Sequence, residues 1–409
     1  DDMTELQKIK EDMAMWLIHE EPKELYFEDE PDRIYYAVVD GGLDLDELVR
    51  WGSGVITFIC PDPYKYSKKE KEFEINDDVI VVENEGNEST APVIELTAHK
   101  PTTYAMIENG VDEYNLVGFP LEEDGQEEIV DDRISIFRED GSTLNEWSTT
   151  LYEVDKNFID VSGTMTSDGA GIRAESYGKG NKMHGPAITK ALPKALPDFE
   201  ITADLDIISR RDIENWRAEV YFLDENLKML GKMGVKDNSR TFKRRFGLGR
   251  VGHYRGTGKS NGYAIGSHNY SRNTNVDATI MHLKVKREGD LYTFYIGRWR
   301  TGRYQWVVEE TYKDKAGTFS GRLKYITLFL GNYQDRPVPF RMRFNKVEVF
   351  ELKQLTVDQT PYILRPGDVV TFDHVNEDIL INGENAMRLK NFGVGNSFWQ
   401  LLKGHNSVT

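Results

Sequence analysis

Short apolar runs separated by turn residues fill the stretch from residue 134 to residue 352, and they constrain the fold of this 409-residue chain more than any other feature. Runs at 199–208, 282–287 and 325–331 are separated by Gly, Asn and Asp turns, with almost no helical periodicity between them. Many short strands with regular turn signals are typical of a β-sandwich or a jelly roll. We therefore predict a mainly β chain with a jelly-roll β-sandwich in this region.

The N-terminal part combines one helix with sharply ended strands. Apolar residues at three- and four-residue spacing across residues 4–19 predict an amphipathic helix. A strand begins near Ile34, a Gly-Gly turn follows, and a second strand stops at Cys60-Pro61-Asp62-Pro63. Strands with such sharp ends indicate a compact β module. The apolar face of the helix comprises Leu6, Ile9, Met13, Trp16 and Leu17.

The composition excludes several classes of protein. A formal net charge of −18 argues against binding of nucleic acid or an anionic membrane by the chain as a whole. The single cysteine, Cys60, excludes an internal disulfide. No apolar run approaches the ~20 residues of a membrane span, and no signal peptide is visible. We expect a protein without a cofactor that is assembled in a cytoplasm.

Three acidic residues on one predicted strand are the strongest candidates for catalysis. Glu200, Asp204 and Asp206 alternate with apolar residues within 199–208, so they share one face of that strand. Same-face neighbours are ~7 Å apart, which is within the range of paired glycosidase carboxylates. The same alternation equally predicts a solvent-facing row of acids above a buried apolar face. We favour the second interpretation.

Other patterns of catalysis or ligand binding are weak. The histidines lack the close pairing typical of metal ligands, so we predict no metal site. The glycines of 247–266 end in Gly258-Lys259-Ser260, but the earlier glycine and the following helix of a phosphate loop are missing. We predict a long exposed loop there. The histidines considered are His184, His253, His268 and His282.

Aromatic residues flanked by polar ones are the best candidates for ligand binding. Sugar rings have apolar C–H faces that pack on flat aromatic side chains, with amides and charged groups binding the hydroxyls. One group lies in the hairpin region 298–306, a second on the glycine-rich segment, and a third in a polar turn. An alternative is that some of these rings, Trp306 and Trp216 above all, belong to the core. The candidates are Trp299, Tyr304, Trp306, Tyr254, Tyr270, Asn332, Tyr333, Gln334 and Asp335.

Basic residues concentrate between 240 and 303 in an otherwise acidic chain. They are either solvated, paired with acidic neighbours, or suited to anionic cell-wall polymers, whose phosphates match the arginine fork. Nucleic-acid binding also requires basic residues with stacking aromatics, and both are present.

Three separate sequence blocks resemble distal tail proteins of siphophages. The first is GVITFICPDPYKY at 54–66, which is similar to the end of the ring-forming domain of that family. The second comprises a Pro-Gly-Asp turn at 366–368, DILINGE at 378–384 and an Asn-Phe-Gly run at 391–393. The third, HGPA at 184–187 with LPDFE at 196–200, resembles the carbohydrate-binding module inserted in longer members. Residues 403–406, KGHN, depart from the usual Pro-Gly-Glu-Asn.

The resemblance implies a domain plan. Residues 1–66 would be the C-terminal part of a ring-forming belt domain with one helix, and upstream strands would precede it. Residues 67–130 and 353–409 would be the two halves of a galectin-like β-sandwich. Residues 131–352 would be an inserted carbohydrate-binding-like jelly roll.

The same resemblance implies a function without catalysis. Family members form a homo-hexameric ring at the virion tail tip, where the ring joins the tail tube protein to a tail-associated hub or fibre protein. The inserted module would bind polysaccharide of a Gram-positive host cell wall, and nucleic acid would not be a partner. The alternatives are a sandwich-fold glycoside hydrolase and a stand-alone lectin.

Overall fold

A computed structural model describes residues 2–19, 21–40, 56–74, 78–110, 113–120, 128–149, 154–155, 157–239, 241–269, 278–356 and 359–409. The chain is mainly β, with several sheets, as the sequence predicts. It divides into two compact units, Asp1–Ile80 and Val81–Thr409. No helix in the described ranges has the length and apolar character needed to cross a bilayer.

The first unit contains one helix and a small sheet. Strand β2 pairs antiparallel with each of the other three strands. The predicted helix is present, but Trp16 is 72% exposed and only Leu17 of its predicted apolar face is described as buried. The predicted Gly-Gly turn lies outside the described residues. The elements are α1 (Asp2–Leu17), β1 (Lys23–Leu25), β2 (Arg33–Val39), β3 (Phe58–Ile59) and β4 (Tyr66–Ser67).

The second unit begins with short strands that precede its large sandwich. They are β5 (Ile80–Asn84), β6 (Val93–Thr97), β7 (Tyr104–Glu108), β8 (Tyr114–Gly118) and β9 (Glu128–Val130).

Sixteen strands, each belonging to one of two sheets, follow between residues 133 and 352 of the described chain. The first eight are β10 (Arg133–Glu139), β11 (Ile159–Val161), β12 (Thr164–Ser167), β13 (Ile172–Ser176), β14 (Met183–Gly185), β15 (Ala187–Leu196), β16 (Phe199–Ile208) and β17 (Trp216–Asp224). The remaining eight are β18 (Met229–Asp237), β19 (Arg245–Val251), β20 (Tyr263–Asn269), β21 (Ala278–Glu288), β22 (Leu291–Arg300), β23 (Arg303–Lys313), β24 (Leu323–Tyr333) and β25 (Arg341–Leu352).

The second unit ends with short strands again. They are β26 (Gln359–Pro361), β27 (Val369–Asp373), β28 (Asp378–Ile381), β29 (Glu384–Asn385) and β30 (Gly404–Val408). Two 3₁₀ turns, Lys259–Asn261 and Met387–Leu389, complete the elements of the described chain.

Two eight-stranded sheets face each other and form the β-sandwich. The first sheet has the order β12-β13-β25-β16-β21-β22-β23, with β10 also on β25. The second has the order β11-β14-β24-β17-β18-β19-β20, with β15 also on β24. Alternate residues of β16 and β17, such as Ile201, Leu205, Val220 and Phe222, fill the core between the sheets. The jelly-roll-like sandwich predicted from the short strands is therefore present.

Segments on both sides of the sandwich pair with each other. Strand β6 pairs with β27, β5 with β30, and β9 runs parallel to β26. Such pairing is what a domain split by an insertion requires, because its two halves are separated in sequence by the inserted strands. The four-domain division with boundaries at 66, 130 and 352, including the split galectin-like domain, stays a prediction.

The glycine-rich stretch 247–266 is only partly a loop, and the prediction of one long exposed loop is wrong. Strand β19 contains Gly247 and Gly249, and β20 begins at Tyr263. A Cβ at Gly247 would lie 2.6 Å from Ile296, and one at Gly249 would lie 2.6 Å from Phe294. These glycines make room for large side chains of the first sheet, whereas the sequence pattern suggested turns.

The hairpin between β28 and β29 fits against the sandwich. Its turn residues Asn382 and Gly383 have positive φ angles of 52° and 82°, as a two-residue Asn-Gly hairpin turn requires. A Cβ at Gly383 would lie 2.2 Å from the Trp299 ring, and the Tyr304 backbone N–H donates to the Gly383 carbonyl (3.1 Å). Glycine is thus required at position 383 by both its backbone conformation and this contact.

A histidine between two carboxylates reinforces the same contact. His282 Nδ1 lies 2.6 Å from Asp204 Oδ1, and its Nε2 lies 3.2 Å from Glu384 Oε1. Burial alone would lower the pKa of His282, but the two carboxylates outweigh it and raise the pKa to about 9. Lys284 also contacts Glu384. The β29 residue Glu384 is therefore held by two cations of β21.

Replacement of Gly383 by alanine is expected to destabilise the second unit. The new Cβ would strain the positive φ and collide with Trp299, at a cost of roughly 2–4 kcal/mol. Gly302→Ala is the matched control, because Gly302 has φ 79° but open space around its Cβ position. Denaturant unfolding should show a clearly larger loss of unfolding free energy for Gly383→Ala. Equal losses would contradict a role for the contact with Trp299.

The charge of His282 is expected to make stability depend on alkaline pH. Its folded pKa of about 9 exceeds the ordinary 6.5, so its contribution is fully present below pH 6.5 and is lost as the pH rises through 9. The change is of order 3 kcal/mol, at about 1.4 kcal/mol for each unit by which the pKa is raised. The measurement is the difference in unfolding free energy between the parent and His282→Gln, from pH 6 to pH 10. A difference that stays constant over this range would contradict the assignment.

Candidate functional site

The outer face of the second sheet carries an unusual number of charged side chains. Because Ala218, Val220 and Phe222 point into the core, the alternate residues of β17 point outward. Such a face normally meets water, yet Glu219 and Tyr221 are fully buried. We call this the charged face, and it comprises Arg217, Glu219, Tyr221, Lys232, Lys236 and Arg250 with the overlying Asp155.

Asp155 joins Lys232 to Arg250, and Lys232 is joined in turn to Glu219 and Tyr221. These side chains form one connected network of ion pairs and hydrogen bonds. Lys232 Nζ lies 2.7 Å from Asp155 Oδ2 and 2.8 Å from Glu219 Oε1. Arg250 Nη2 donates to Asp155 Oδ1 (2.6 Å), and the Tyr221 hydroxyl donates to Glu219. The network ties the segment that carries Asp155 to the sheet beneath it.

The network keeps its carboxylates ionised. Burial by itself raises the pKa of Asp155, but the charges of Lys232 and Arg250 outweigh burial and lower it to about 2. Burial likewise opposes ionisation of Glu219, and the neighbouring Lys232 and Arg217 leave its pKa below the ordinary value. Burial and the charge of Glu219 raise the pKa of Tyr221. These two ionised carboxylates therefore have a structural role, which is to hold the cations of the charged face in place.

The charges of Arg217 and Lys236 are less completely neutralised by carboxylates than those of Lys232 and Arg250. They are direct partners across β17 and β18. The nearest carboxylate oxygen to Arg217 Nη1 is 3.7 Å away on Glu219, which already binds Lys232. Arg217 Nε is buried and lacks a hydrogen-bond acceptor among the described residues. Burial and then the charge of Arg217 lower the pKa of Lys236 to about 8.

A cleft of about 290 Å³ opens beside Arg217 at one end of the charged face. It has two aromatic side chains, three carboxamides, two cations and a methionine. Flat rings next to carboxamides and cations are the side chains with which proteins bind sugars. The lining residues are Phe158, Tyr333, Asn157, Asn215, Asn238, Lys182, Arg217 and Met183.

A second cleft, of about 380 Å³, is lined by the residues that follow Tyr333 and precede Lys182 in the chain. Gln334 and Asp335 line it with Asn181, and Gln334 Nε2 donates to the Asn181 carbonyl (2.8 Å). Asn332 is buried and donates to the Arg336 carbonyl (2.7 Å). Three of the four candidates in the polar turn therefore line a cleft, and Asn332 supports the turn from inside.

The candidates of the hairpin region have their rings in contact with the protein itself. Trp299 packs on Gly383 and on Tyr304, with a ring-centroid distance of 5.0 Å for the aromatic pair. Tyr304 also lies over His282 at 5.1 Å. Trp306 packs against the core of the sandwich and beneath the Arg298 guanidinium. A glycan site in this hairpin stays a prediction, but the geometry favours the cleft beside Tyr333.

The two candidates from the glycine-rich stretch have different outcomes. Tyr254 is 39% exposed and packs edge-on against Phe158 with ring centroids 4.8 Å apart. It therefore supports a ring that lines the first cleft. Tyr270 lies outside the described residues. The eight described candidates thus form two separate groups, one in the hairpin of the first sheet and one beside the second sheet.

The three acids considered for catalysis lie on the first sheet and contact cations. Ile201, Ala203 and Leu205 of the same strand are buried in the core, so the acids do share the opposite face. Glu200 accepts a hydrogen bond from Arg133 (2.7 Å), and Asp204 contacts His282. Asp206 lies 2.9 Å from Arg341 and 3.1 Å from Arg343. None of them lines either cleft.

Three of the four histidines considered have described side chains, and each has different surroundings. His184 is buried and its Nδ1 lies 3.1 Å from the Lys182 carbonyl, His253 is exposed, and His282 contacts Asp204 and Glu384. The His268 side chain lies outside the described residues. Within those residues, no three His, Cys, Asp or Glu side chains gather as a metal site.

Sequence reasoning missed most of the residues that line the first cleft. Phe158, Asn157, Asn215, Arg217 and Asn238 come from separate loops and strand ends, so no local motif joins them. The one available signal was the alternation in β17, which places Arg217 and Glu219 on the face opposite the core.

The sandwich resembles several solved structures of low sequence identity. These include the CBM2 module of Lactobacillus casei BL23 phage J-1 evolved Dit, with 14% identity, a TM-score of 0.44, and coverage of 56% of this chain and 100% of that chain. The laminarinase catalytic domain of Thermotoga maritima MSB8 has 11% identity, a TM-score of 0.37, and coverage of 55% and 100%. At these scores the likenesses carry no inference about function. A comparison with curated proteins gives no match.

A family match concerns the first unit. Residues 1–60 match the phage tail protein RIFT-related domain. This segment includes α1, β1, β2 and β3, and it contains most of the first sequence block that resembles siphophage tail proteins. The match confirms a resemblance to phage tail proteins over residues 1–60 of the chain.

Proposed function

We propose that this protein is a structural component of a phage tail tip, in which the sandwich binds a glycan of the host cell wall. The first unit would form a homo-hexameric ring between the tail tube protein and a tail-associated hub or fibre protein. The cleft beside Tyr333 would hold the glycan. The protein would act by binding and assembly, without a catalytic step or a cofactor.

The observation that carries the binding proposal is the lining of the first cleft. Phe158 and Tyr333 provide two ring faces for sugar C–H groups, and three asparagines provide donors and acceptors for hydroxyls. The side-chain network around Asp155 fixes the adjoining segment that bears Asn157 and Phe158. A preformed cleft of this kind binds without a large ordering cost.

The ring proposal is supported by the family of the first unit and by its exposed apolar side chains. Met15 and Trp16 are each 72% exposed on α1, and Ile18 is 62% exposed just after it. Contiguous exposed apolar side chains of this size commonly mark protein–protein contacts. A six-fold ring would also present six glycan sites together, so that weak single sites would suffice for firm attachment.

Binding to cell walls is expected to depend on the first cleft. Phe158→Ala removes an exposed ring from the cleft and should weaken binding about tenfold or more. Asn238→Ala should weaken it by a smaller factor. The measurement is a quantitative pull-down of the full chain on a panel of isolated Gram-positive cell walls.

Two further variants make this experiment decisive. Phe392→Ala removes a 93% exposed ring in the β29–β30 connection and should bind as the parent does. Trp299→Ala tests the hairpin, and we expect unchanged binding at temperatures where the variant is folded. Loss with Trp299→Ala and none with Phe158→Ala would move the site to the hairpin. A parent that binds none of the walls would contradict glycan binding.

Assembly is expected to depend on the exposed apolar part of α1. The full-length protein should elute with the mass of six chains in size-exclusion chromatography with light scattering. Trp16→Gln should shift the population toward smaller species, because it removes an apolar contact surface. Glu11→Gln, an exposed polar substitution on the same helix, is the control. Monomers alone from the full-length protein would count against the ring.

A further inference from the structure

We infer that the first cleft selects glycans that carry negative charge, as phosphate diesters or as carboxylates, through Arg217 and Lys236. This inference rests on the proposed glycan binding and specifies the chemical class of ligand. It follows from the charges of the face that adjoins the cleft at Arg217, from their geometry, and from the small size of the cleft.

The charged face has more cations than anions. Its cations are Arg217, Lys232, Lys236 and Arg250, and its carboxylates are Asp155 and Glu219, which leaves an excess of two positive charges. The whole chain has a formal net charge of −18, so this excess is a local feature. Lys232 and Arg250 are neutralised at contact distance by the two carboxylates. The excess therefore belongs to Arg217 and Lys236.

The remaining two cations are cross-strand neighbours, and Arg217 is the one that lines the cleft. Arg217 keeps a buried Nε without an acceptor in the described part of the chain. A phosphate or carboxylate beside them would accept the guanidinium N–H groups and favour the ammonium form of Lys236, whose pKa burial otherwise lowers to about 8.

The other cleft residues favour a charged sugar over a nucleic acid. Asn157, Asn215 and Asn238 offer carboxamides to hydroxyl groups around the anion position. The volume of about 290 Å³ suits one charged unit. A single-stranded nucleic acid would instead need a basic groove that follows several phosphates, with successive stacking rings.

Three immobilised polymers test the inference with the full chain. They are poly(glycerol phosphate), polygalacturonate and neutral dextran, with a single-stranded oligonucleotide as a fourth probe. We expect binding to one of the two anionic polymers at least tenfold tighter than to dextran, and weaker binding at higher salt. Which of the two binds identifies phosphate or carboxylate as the anion.

Lys236→Gln is the decisive variant, because Lys236 is half-buried and partial burial disfavours its charge, so the variant should fold normally. It should weaken binding to the anionic polymer at least tenfold, and Arg217→Gln should do the same. Lys313→Gln removes an exposed charge on the first sheet and should have no effect. Arg217→Lys should restore part of the affinity lost in Arg217→Gln.

The outcomes separate this inference from the proposed function. Wall binding by the parent that is unchanged in Lys236→Gln and Arg217→Gln would overturn charge selection and leave glycan binding intact. Equal affinity for dextran and the anionic polymers, or tightest binding to the oligonucleotide, would also overturn it. Failure of the parent to bind walls or any of the carbohydrate polymers would overturn both proposals.

Discussion

Strands β16 and β17 each have one face buried in the core between the two sheets, and this burial determines what the other face can do. On β16 the outward residues are acids, and cations from neighbouring segments cover them. On β17 the outward residues are Arg217, Glu219 and Tyr221, and the segment that contains Asp155 covers this face instead. The two sheets thus have chemically different outer faces, although both arise from the same alternation. The first cleft adjoins the second of these faces, beside Arg217.

Burial of charge gives the second face its rigidity. Charges taken from water are costly unless each finds a partner, and removal of one partner from a buried pair typically costs about 3–5 kcal/mol. Asp155 therefore fixes the position of its segment by satisfying Lys232 and Arg250 at once. Asn157 and Phe158 follow within three residues, so the same network that stabilises the sheet also orients the cleft wall. Loss of Asp155 would affect the cleft without touching a lining residue.

The sequence was sufficient for the elements whose signals are local. The strand at 199–208 has the predicted bounds, and the Asn382-Gly383 turn adopts the positive φ angles that its residue types favour. The cleft could not be predicted in the same way, because Phe158, Asn215 and Tyr333 meet only through the order of strands in the second sheet. The glycines of 247–266 could not be assigned to strand or loop from the sequence for a related reason. Gly247 and Gly249 are explained by Ile296 and Phe294 on the opposite sheet, which no local pattern shows.

The contacts around Gly383 limit the movement of the sandwich relative to the strands that follow it. Trp299 packs on the β28–β29 hairpin, Arg303 contacts Asp373 and Asp378, and His282 contacts Glu384. These contacts fix the sandwich to the strands that follow it, so it is not a module on a free tether. Multivalent binding gains most when the spacing of the sites matches the spacing of the ligands, and it fails when geometry forbids simultaneous contact. Within the second unit, this attachment removes freedom between the sandwich and the strands that follow it, so less freedom remains to be lost when several clefts bind at once.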